Sequence, residues 1–87
     1  MTVKVLIASP LRPYTDADEV EAVGVTLGEL LNDLDARFPG IRFRMIDEQD
    51  QVRRHMRIFI NGEAVFDLAC AIRSTDEVYI VQALSGG

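Results

Sequence analysis

The sequence predicts an α+β fold, in which a sheet of about five strands packs on one main helix. Three observations support this prediction. Apolar residues alternate with polar ones in several short segments, as they do in strands, and one central segment repeats its apolar residues at helical spacing. In addition, Asn61-Gly62 is the strongest short-range hairpin signal in the chain.

Two strands are predicted before the helix. Residues 2–8 are rich in β-branched side chains and form the first strand. Residues 9–13 end it, since proline cannot donate a hydrogen bond to a β-ladder. Residues 19–23 alternate polar with apolar, which is typical of an antiparallel strand with one face in water.

The main helix is predicted to begin at Thr26, because Thr26 and Glu29 have the spacing of a capping box. Pro39-Gly40 ends it. The apolar stripe of this helix consists of Leu27, Leu30, Leu31, Leu34 and Phe38. Burial of each of these side chains contributes ~1.5–3 kcal/mol, so the stripe is expected to be the largest single part of the core.

The second half of the chain is predicted to complete the sheet. The remaining elements are a short helical turn at 41–46, a surface loop at 47–54, a strand at 55–60, the Asn61-Gly62 turn, a short strand at 63–66 and a last strand at 76–84. The order of elements is therefore strand, strand, helix, strand, short strand, strand.

Size and composition favour a binding or carrier module over an enzyme. The 87 residues are expected to form a single domain over residues 1–87, and the 48% hydrophobic content is enough for one core. A chain this short buries only about 60–65% of its unfolded surface. A core and a deep enclosed active site therefore hardly fit together.

Charge and side-chain content argue against several classes of protein. A net charge of −5 disfavours nucleic-acid binding, because phosphate neutralisation needs a basic surface. The single cysteine, Cys70, permits neither an internal disulfide nor a four-thiolate cluster and reads as a small buried hydrophobe. His55 has no histidine or cysteine cluster around it, so no metal site is expected. With no signal region and no apolar run of about 18 residues, we expect a cytoplasmic protein without a membrane span.

The last residues of the chain are the main candidates for chemistry. Ser85-Gly86-Gly87 follow the last predicted strand and would carry the α-carboxylate on a flexible stalk. Glycine lacks Cβ, so such a stalk can enter a channel too narrow for other residues. The alternative is an ordinary frayed terminus.

The order of elements and the terminal glycines together resemble the β-grasp or ubiquitin-like fold, and more narrowly the MoaD/ThiS family of bacterial sulfur carriers. The matching motifs are Asp76-Glu77-Val78 before the last strand, the terminal Gly86-Gly87, the Thr26-Leu27-Gly28 helix start and the Asn61-Gly62 hairpin. Leu11-Arg12-Pro13, followed by Tyr14-Thr15, is similar to the CysO-like branch of the family. The resemblance implies a mixed sheet whose first and last strands lie parallel at its centre.

The resemblance also implies a function for Gly87. A ubiquitin-activating-type adenylyltransferase would use ATP to convert the Gly87 carboxylate to an acyl-adenylate, and a sulfur donor would replace AMP to leave a thiocarboxylate. A sulfur-accepting biosynthetic enzyme would then receive the sulfur. Leu84, Ser85 and Gly86 would enter the partner's channel together with Gly87. The carrier would bind no cofactor itself and would be monomeric when free, while its partners supply the acids and bases.

The acceptor and the competing functions stay open at this point. Cysteine, molybdopterin, thiamine and secondary-metabolite synthesis are all compatible with the sequence, and the CysO-like segment favours cysteine synthesis. The alternative is a ubiquitin-like modifier joined through Gly87 to lysines of target proteins, and a third possibility is an interaction module with an inert tail. Lys4 is the only lysine against eight arginines, so self-linked chains would have almost no acceptor.

Two further surfaces are candidates for partner contact. Alternation places Leu6, Phe59, Tyr79 and Val81 on the sheet face away from the helix, where they would be exposed and could form one apolar docking patch. Arg12 lies near a position where relatives carry a partner-contacting arginine. The arginines at positions 42, 44, 53, 54 and 57 surround His55 and form either a solvated loop or a surface that steers the protein to an acidic enzyme.

Overall fold

The structure is a computed structural model, and it describes residues 2–82. The strands are β1 (Val3–Ile7), β2 (Glu19–Ala22), β3 (Met56–Ile60), β4 (Glu63–Ala64) and β5 (Glu77–Gln82). The α-helices are α1 (Arg12–Thr15), α2 (Leu27–Arg37) and α3 (Ile41–Met45), and a 3-10 turn (Ser9–Leu11) precedes α1. No helix of this described part is both long and apolar enough to cross a bilayer.

The five strands form one mixed sheet in the order β2-β1-β5-β3-β4. β1 and β5 pair in parallel at the centre, and the other neighbours are antiparallel. The predicted α+β class is therefore confirmed, as is the β-grasp arrangement, in which a parallel central pair of strands packs against one main helix.

Helix α2 begins where its capping residues predict. The Thr26 side chain accepts a hydrogen bond from the Glu29 N–H at 3.2 Å, and the Glu29 carboxylate accepts one from the Val25 N–H at 3.3 Å. The loop before β5 satisfies the next free donors, because the N–H groups of Leu27 and Gly28 donate to backbone carbonyls of residues 70 and 68. The start of the helix is thus bound to the loop that leads into β5.

The core lies between α2 and one face of the sheet. Four leucines of the predicted stripe, Leu27, Leu30, Leu31 and Leu34, are fully buried. They form one cluster with buried strand residues such as Val5, Ile58, Val78 and Ile80. Phe38, the fifth member of the predicted stripe, lies past the end of the helix as its C-cap and is only half-buried.

The segment after β1 differs from the expected simple turn. Residues 9–15 form a 3-10 turn followed directly by the one-turn helix α1, and each has a proline among its first positions. Proline has a helical φ and lacks only an N–H that is free at a helix start, so the same residues that end a strand also begin a helical turn.

The Asn61-Gly62 hairpin is confirmed. Both residues have positive φ, 51° for Asn61 and 88° for Gly62, as the favoured two-residue turn between antiparallel strands requires. The predicted last strand, 76–84, ends at Gln82 in the described chain, and residues 83 and 84 lie outside it.

Candidate functional site

Strand register brings three of the predicted patch residues into one row on the sheet face away from α2. In the parallel pair, Leu6 lies opposite Tyr79, and in the antiparallel pair Tyr79 lies opposite Phe59. The row therefore crosses the three central strands without a gap. Val81 lies on the same face, two residues further along β5 and opposite Arg57.

The expected exposure of these side chains is wrong in part. Tyr79 is exposed at 45%, but Leu6, Phe59 and Val81 are half-buried. Each of the three lies on a strand that is paired on both sides, so neighbouring side chains cover part of it. The four residues still share one face.

Phe66 extends this face and was missed in the sequence. Phe66 lies two residues after Ala64 and therefore on the same side of the strand, and Ala64 pairs with Phe59. The Phe66 side chain is 58% exposed. The Arg57 guanidinium lies 5.8 Å from the centre of its ring. Continuing the alternation past the hairpin would have found it. We call Leu6, Phe59, Phe66, Tyr79 and Val81 the outer patch.

Carboxylates border the outer patch on the β2 side of the sheet. Glu19 lies opposite Leu6, and Lys4 has Glu21 opposite it on one side and Glu77 on the other. The sole lysine of the chain is therefore set between two acidic side chains. On the β3 side the border is basic, with Arg57 opposite Val81.

In the described chain, β5 ends at the same edge of the sheet as β1, because the two strands are parallel. Gln82, the last described residue, lies opposite Met56, and the Ala8 N–H donates to the Ile80 carbonyl at 3.0 Å. Arg12 begins α1 shortly after β1 and is exposed. The predicted tail residues, Leu84, Ser85, Gly86 and Gly87, lie outside the described residues.

The arginine-rich stretch is divided into two groups by the structure. Arg42 forms an ion pair with Asp50 at 3.1 Å. Arg53 instead stacks on Phe43, with 4.5 Å between its guanidinium carbon and the ring centre, and its Nε donates to the Phe43 carbonyl at 2.7 Å. Phe43 and Arg53 line a shallow groove together with Arg44 and His55.

Two carboxylates have clearly shifted pKa values, and each accepts a hydrogen bond from a backbone N–H group. A hydrogen bond from the Val23 N–H, together with the bond from Arg37, lowers the pKa of Asp33. For Asp76, the Arg73 N–H and the Asn61 side chain lower the pKa in the same way. Within residues 2–82, no group of three or more His, Cys, Asp or Glu side chains is placed to hold a metal ion. Cys70 is half-buried and packs against the core.

Comparison with known proteins identifies the family. Residues 5–87 match the ThiS family. The chain belongs to the ThiS family. This confirms the resemblance to the MoaD/ThiS carriers that the terminal glycines and the order of strands predict.

The relatives of this ThiS-family chain include a protein of the CysO-like branch. The sulfur carrier protein CysO of Mycobacterium tuberculosis is 39% identical over 93 aligned positions, which cover 100% of both chains. The crystal structure of Mycobacterium tuberculosis CysO has a TM-score of 0.89 at 38% identity, over 94% of this chain and 99% of that one. The crystal structure of the Amycolatopsis orientalis BexX/CysO complex contains a chain with a TM-score of 0.89 at 31% identity, over 98% and 99%.

Proposed function

We propose that this protein is a sulfur carrier whose Gly87 carboxylate is activated and converted to a thiocarboxylate. The observation that supports this most strongly is the full-length identity of 39% to a sulfur carrier protein, in a chain whose sequence ends in Gly86-Gly87. The described domain adds a surface suited to docking, because the outer patch includes side chains of β1 and β5, the two strands that end where the tail begins.

The proposed chemistry takes place in two steps, the first at a carboxylate oxygen of Gly87 and the second at its carbonyl carbon. A carboxylate oxygen of Gly87 attacks the α-phosphate of ATP, and pyrophosphate leaves. Sulfide then attacks the acyl carbon, AMP leaves, and one oxygen of the carboxylate is replaced by sulfur. Adenylation is needed because a free carboxylate is a poor electrophile, whereas AMP is a good leaving group.

The partner enzymes provide everything else that the reaction requires. ATP is bound by a ubiquitin-activating-type adenylyltransferase, and the acids and bases are those of the adenylyltransferase and of the sulfur-accepting enzyme. The carrier contributes its tail and its docking face. A CysO relative in complex with BexX supports the idea that chains of this kind act while bound to a second protein.

Cysteine synthesis is the favoured destination of the sulfur. One support is the similarity to CysO. The other is the Leu11-Arg12-Pro13 segment, in which Leu11 ends the 3-10 turn and Arg12 and Pro13 begin α1. We further propose that the protein acts in the cytoplasm and is monomeric when free.

Mass spectrometry of the intact protein tests the proposal. After incubation with ATP, sulfide and the cognate adenylyltransferase, we expect a product in which one oxygen has been replaced by sulfur. Deletion of Gly87 is the control, since all core residues of the described domain lie between residues 3 and 80 and the shortened protein should fold. Adducts on lysines of other proteins would instead indicate a modifier, and an unchanged mass would indicate an inert tail.

A further inference from the structure

A group of basic residues lies on α3 and on the segment that leads into β3, and none of them belongs to the buried core. It consists of Arg44, Arg53, Arg54 and His55, together with the aromatic ring of Phe43, and we call it the basic cluster. Four of its members, Phe43, Arg44, Arg53 and His55, line a shallow groove of about 200 Å³. Phe43 is 58% exposed although it is a large apolar side chain.

The geometry of the basic cluster is fixed by contacts within it. Stacking on the Phe43 ring and the 2.7 Å hydrogen bond from Arg53 Nε to the Phe43 carbonyl hold the guanidinium in one position. A stacked arginine keeps its terminal N–H groups available for carboxylates, because the ring covers only its flat face. A pre-positioned arginine also loses less side-chain entropy when it binds a partner.

The positive charge of the basic cluster is not neutralised within the described domain. The two ion pairs found in residues 2–82 join Arg37 to Asp33 and Arg42 to Asp50. Arg44, Arg53 and Arg54 take part in neither. This local excess of positive charge stands out on a chain whose net charge is −5.

The basic cluster lies beside the point where the tail begins. Met56 pairs with Gln82, and Arg53, Arg54 and His55 directly precede Met56. Five residues separate Gln82 from Gly87, and a fully extended chain of five residues spans at most about 18 Å. Any protein that holds Gly87 in a channel must therefore place the mouth of that channel close to the basic cluster.

We infer that the basic cluster docks against aspartate and glutamate side chains on the rim of the partner's tail channel. This inference rests on the proposed function, since it needs a partner that encloses Gly87. Acidic residues at the rim would attract the cluster as the two proteins approach and would orient the tail toward the opening. Charges at an interface rim act mainly on the association rate and on its salt dependence.

Charge reversal at one exposed arginine tests the inference against a matched control. Arg54→Glu alters the basic cluster, whereas Arg73→Glu alters the loop before β5, at the other end of that strand from Gln82. Each substitution changes the net charge by the same amount, from −5 to −7, since one positive charge is lost and one negative charge is gained. Both side chains are exposed and neither makes a side-chain hydrogen bond within residues 2–82, so both variants should fold.

The measurement is kcat/KM for thiocarboxylate formation by the adenylyltransferase that acts on the wild-type protein. At low ionic strength we expect Arg54→Glu to lower kcat/KM about tenfold, and Arg73→Glu to change it less than about twofold. The loss in Arg54→Glu should shrink as salt is added, because screening shortens the reach of exposed charges to about 3 Å at 1 M salt. Arg44→Glu serves as a second variant in the cluster if Arg54→Glu does not fold.

The outcomes separate this inference from the proposed function. If the wild-type protein never gains sulfur, the proposed function fails and the inference fails with it. If the wild type gains sulfur but Arg54→Glu and Arg44→Glu gain sulfur equally well at low salt, the inference alone is overturned. An equal loss in Arg73→Glu, or a loss that salt does not reduce, would overturn it too, because the effect would then come from net charge or from a non-ionic contact.

Discussion

Asn61 and Asp76 join the β3–β4 hairpin to the start of β5: Asn61 Nδ2 donates to an Asp76 carboxylate oxygen at 2.9 Å. The amide oxygen of Asn61 accepts a hydrogen bond from the Glu77 N–H at 3.0 Å, and Asp76 accepts another from the Arg73 N–H at 2.9 Å. One turn residue thus fixes both the hairpin and the entry into the central strand. These hydrogen bonds hold the start of β5, at the opposite end of the strand from Gln82.

Acid should weaken this junction, and Asp76→Asn should remove the effect. Hydrogen bonds from Arg73 and Asn61 hold the pKa of Asp76 below its ordinary value of 3.8. A depressed pKa in the folded state means that the carboxylate adds stability at neutral pH, and this is lost as pH falls below 3.8 and through the folded-state pKa. Thermal unfolding at a series of pH values should show wild type well above Asp76→Asn at pH 7.

The difference between the two proteins should narrow below about pH 4, near the unfolded-state pKa of aspartate. The pKa of Asp33 is lowered as well, so acid should also remove stability through Asp33, and this loss should be the same in wild type and in Asp76→Asn. A gap between wild type and Asp76→Asn that stays constant from pH 7 to pH 3 would contradict the assignment.

Gly24→Ala should destabilise the fold through a collision. A Cβ at Gly24 would lie 2.4 Å from the backbone nitrogen of Leu30 and 2.8 Å from its Cα, and helix backbone cannot move aside cheaply. Overpacking of this kind costs about 1–3 kcal/mol. Urea unfolding measures the loss.

Gly62→Ala is the matched control for Gly24→Ala. Its Cβ would have no neighbour within 4 Å, but its φ is +88°, so this substitution strains the backbone without a clash. We expect it to cost about 1–2 kcal/mol. If Gly24→Ala unfolds at the same urea concentration as wild type, the close approach of Gly24 to α2 is wrong.

The elements that the sequence predicts well are those with local chemical signals. Thr26 and Glu29 mark the start of α2 because capping involves residues only three apart, and Asn61-Gly62 marks the hairpin because few residues tolerate its backbone angles. Placement of Leu6, Phe59 and Tyr79 on one face follows from strand alternation alone. Their common row required the register of β1, β5 and β3, which is a property of the whole sheet.

The errors arise where neighbouring elements decide the outcome. Half-burial of Leu6 and Val81 depends on the strands that flank them, and no local pattern reports it. Phe66 was overlooked although the predicted short strand 63–66 contains it, because its face depends on the register of the hairpin, which pairs Ala64 with Phe59. The basic cluster needed both the Arg53–Phe43 stack and the pairing of Met56 with Gln82 before its position beside the tail could be seen.

Phe66→Asp should reduce thiocarboxylate formation while leaving the domain folded. Phe66 is 58% exposed in the outer patch, so a carboxylate there costs little in the free protein but would be buried against a partner. We expect kcat/KM with the adenylyltransferase to fall about tenfold or more, since interface substitutions that bury a charge cost more than about 1.4 kcal/mol.

Val25→Asp is the control for the outer patch. Val25 is 66% exposed and lies before α2, away from the outer patch, so the same change of charge should leave charging with sulfur unaffected. Phe59→Asp is less informative, because Phe59 is half-buried and the substitution would lower stability as well. Equal activity of Phe66→Asp and wild type would show that the outer patch does not contact this enzyme.

Lys4→Arg should leave sulfur loading unchanged. With no other protein as acceptor, neither the wild type nor Lys4→Arg should form linked species after loading. Lys4 is the only side-chain amine in the sequence, and Glu21 and Glu77 lie opposite it in the two neighbouring strands. Each molecule therefore offers a single side-chain acceptor, so an adenylated or thiocarboxylated Gly87 should persist without self-linkage. Denaturing electrophoresis after charging, for wild type and Lys4→Arg side by side, checks this. A ladder of linked species in the wild type that disappears in Lys4→Arg would favour the protein modifier over the sulfur carrier.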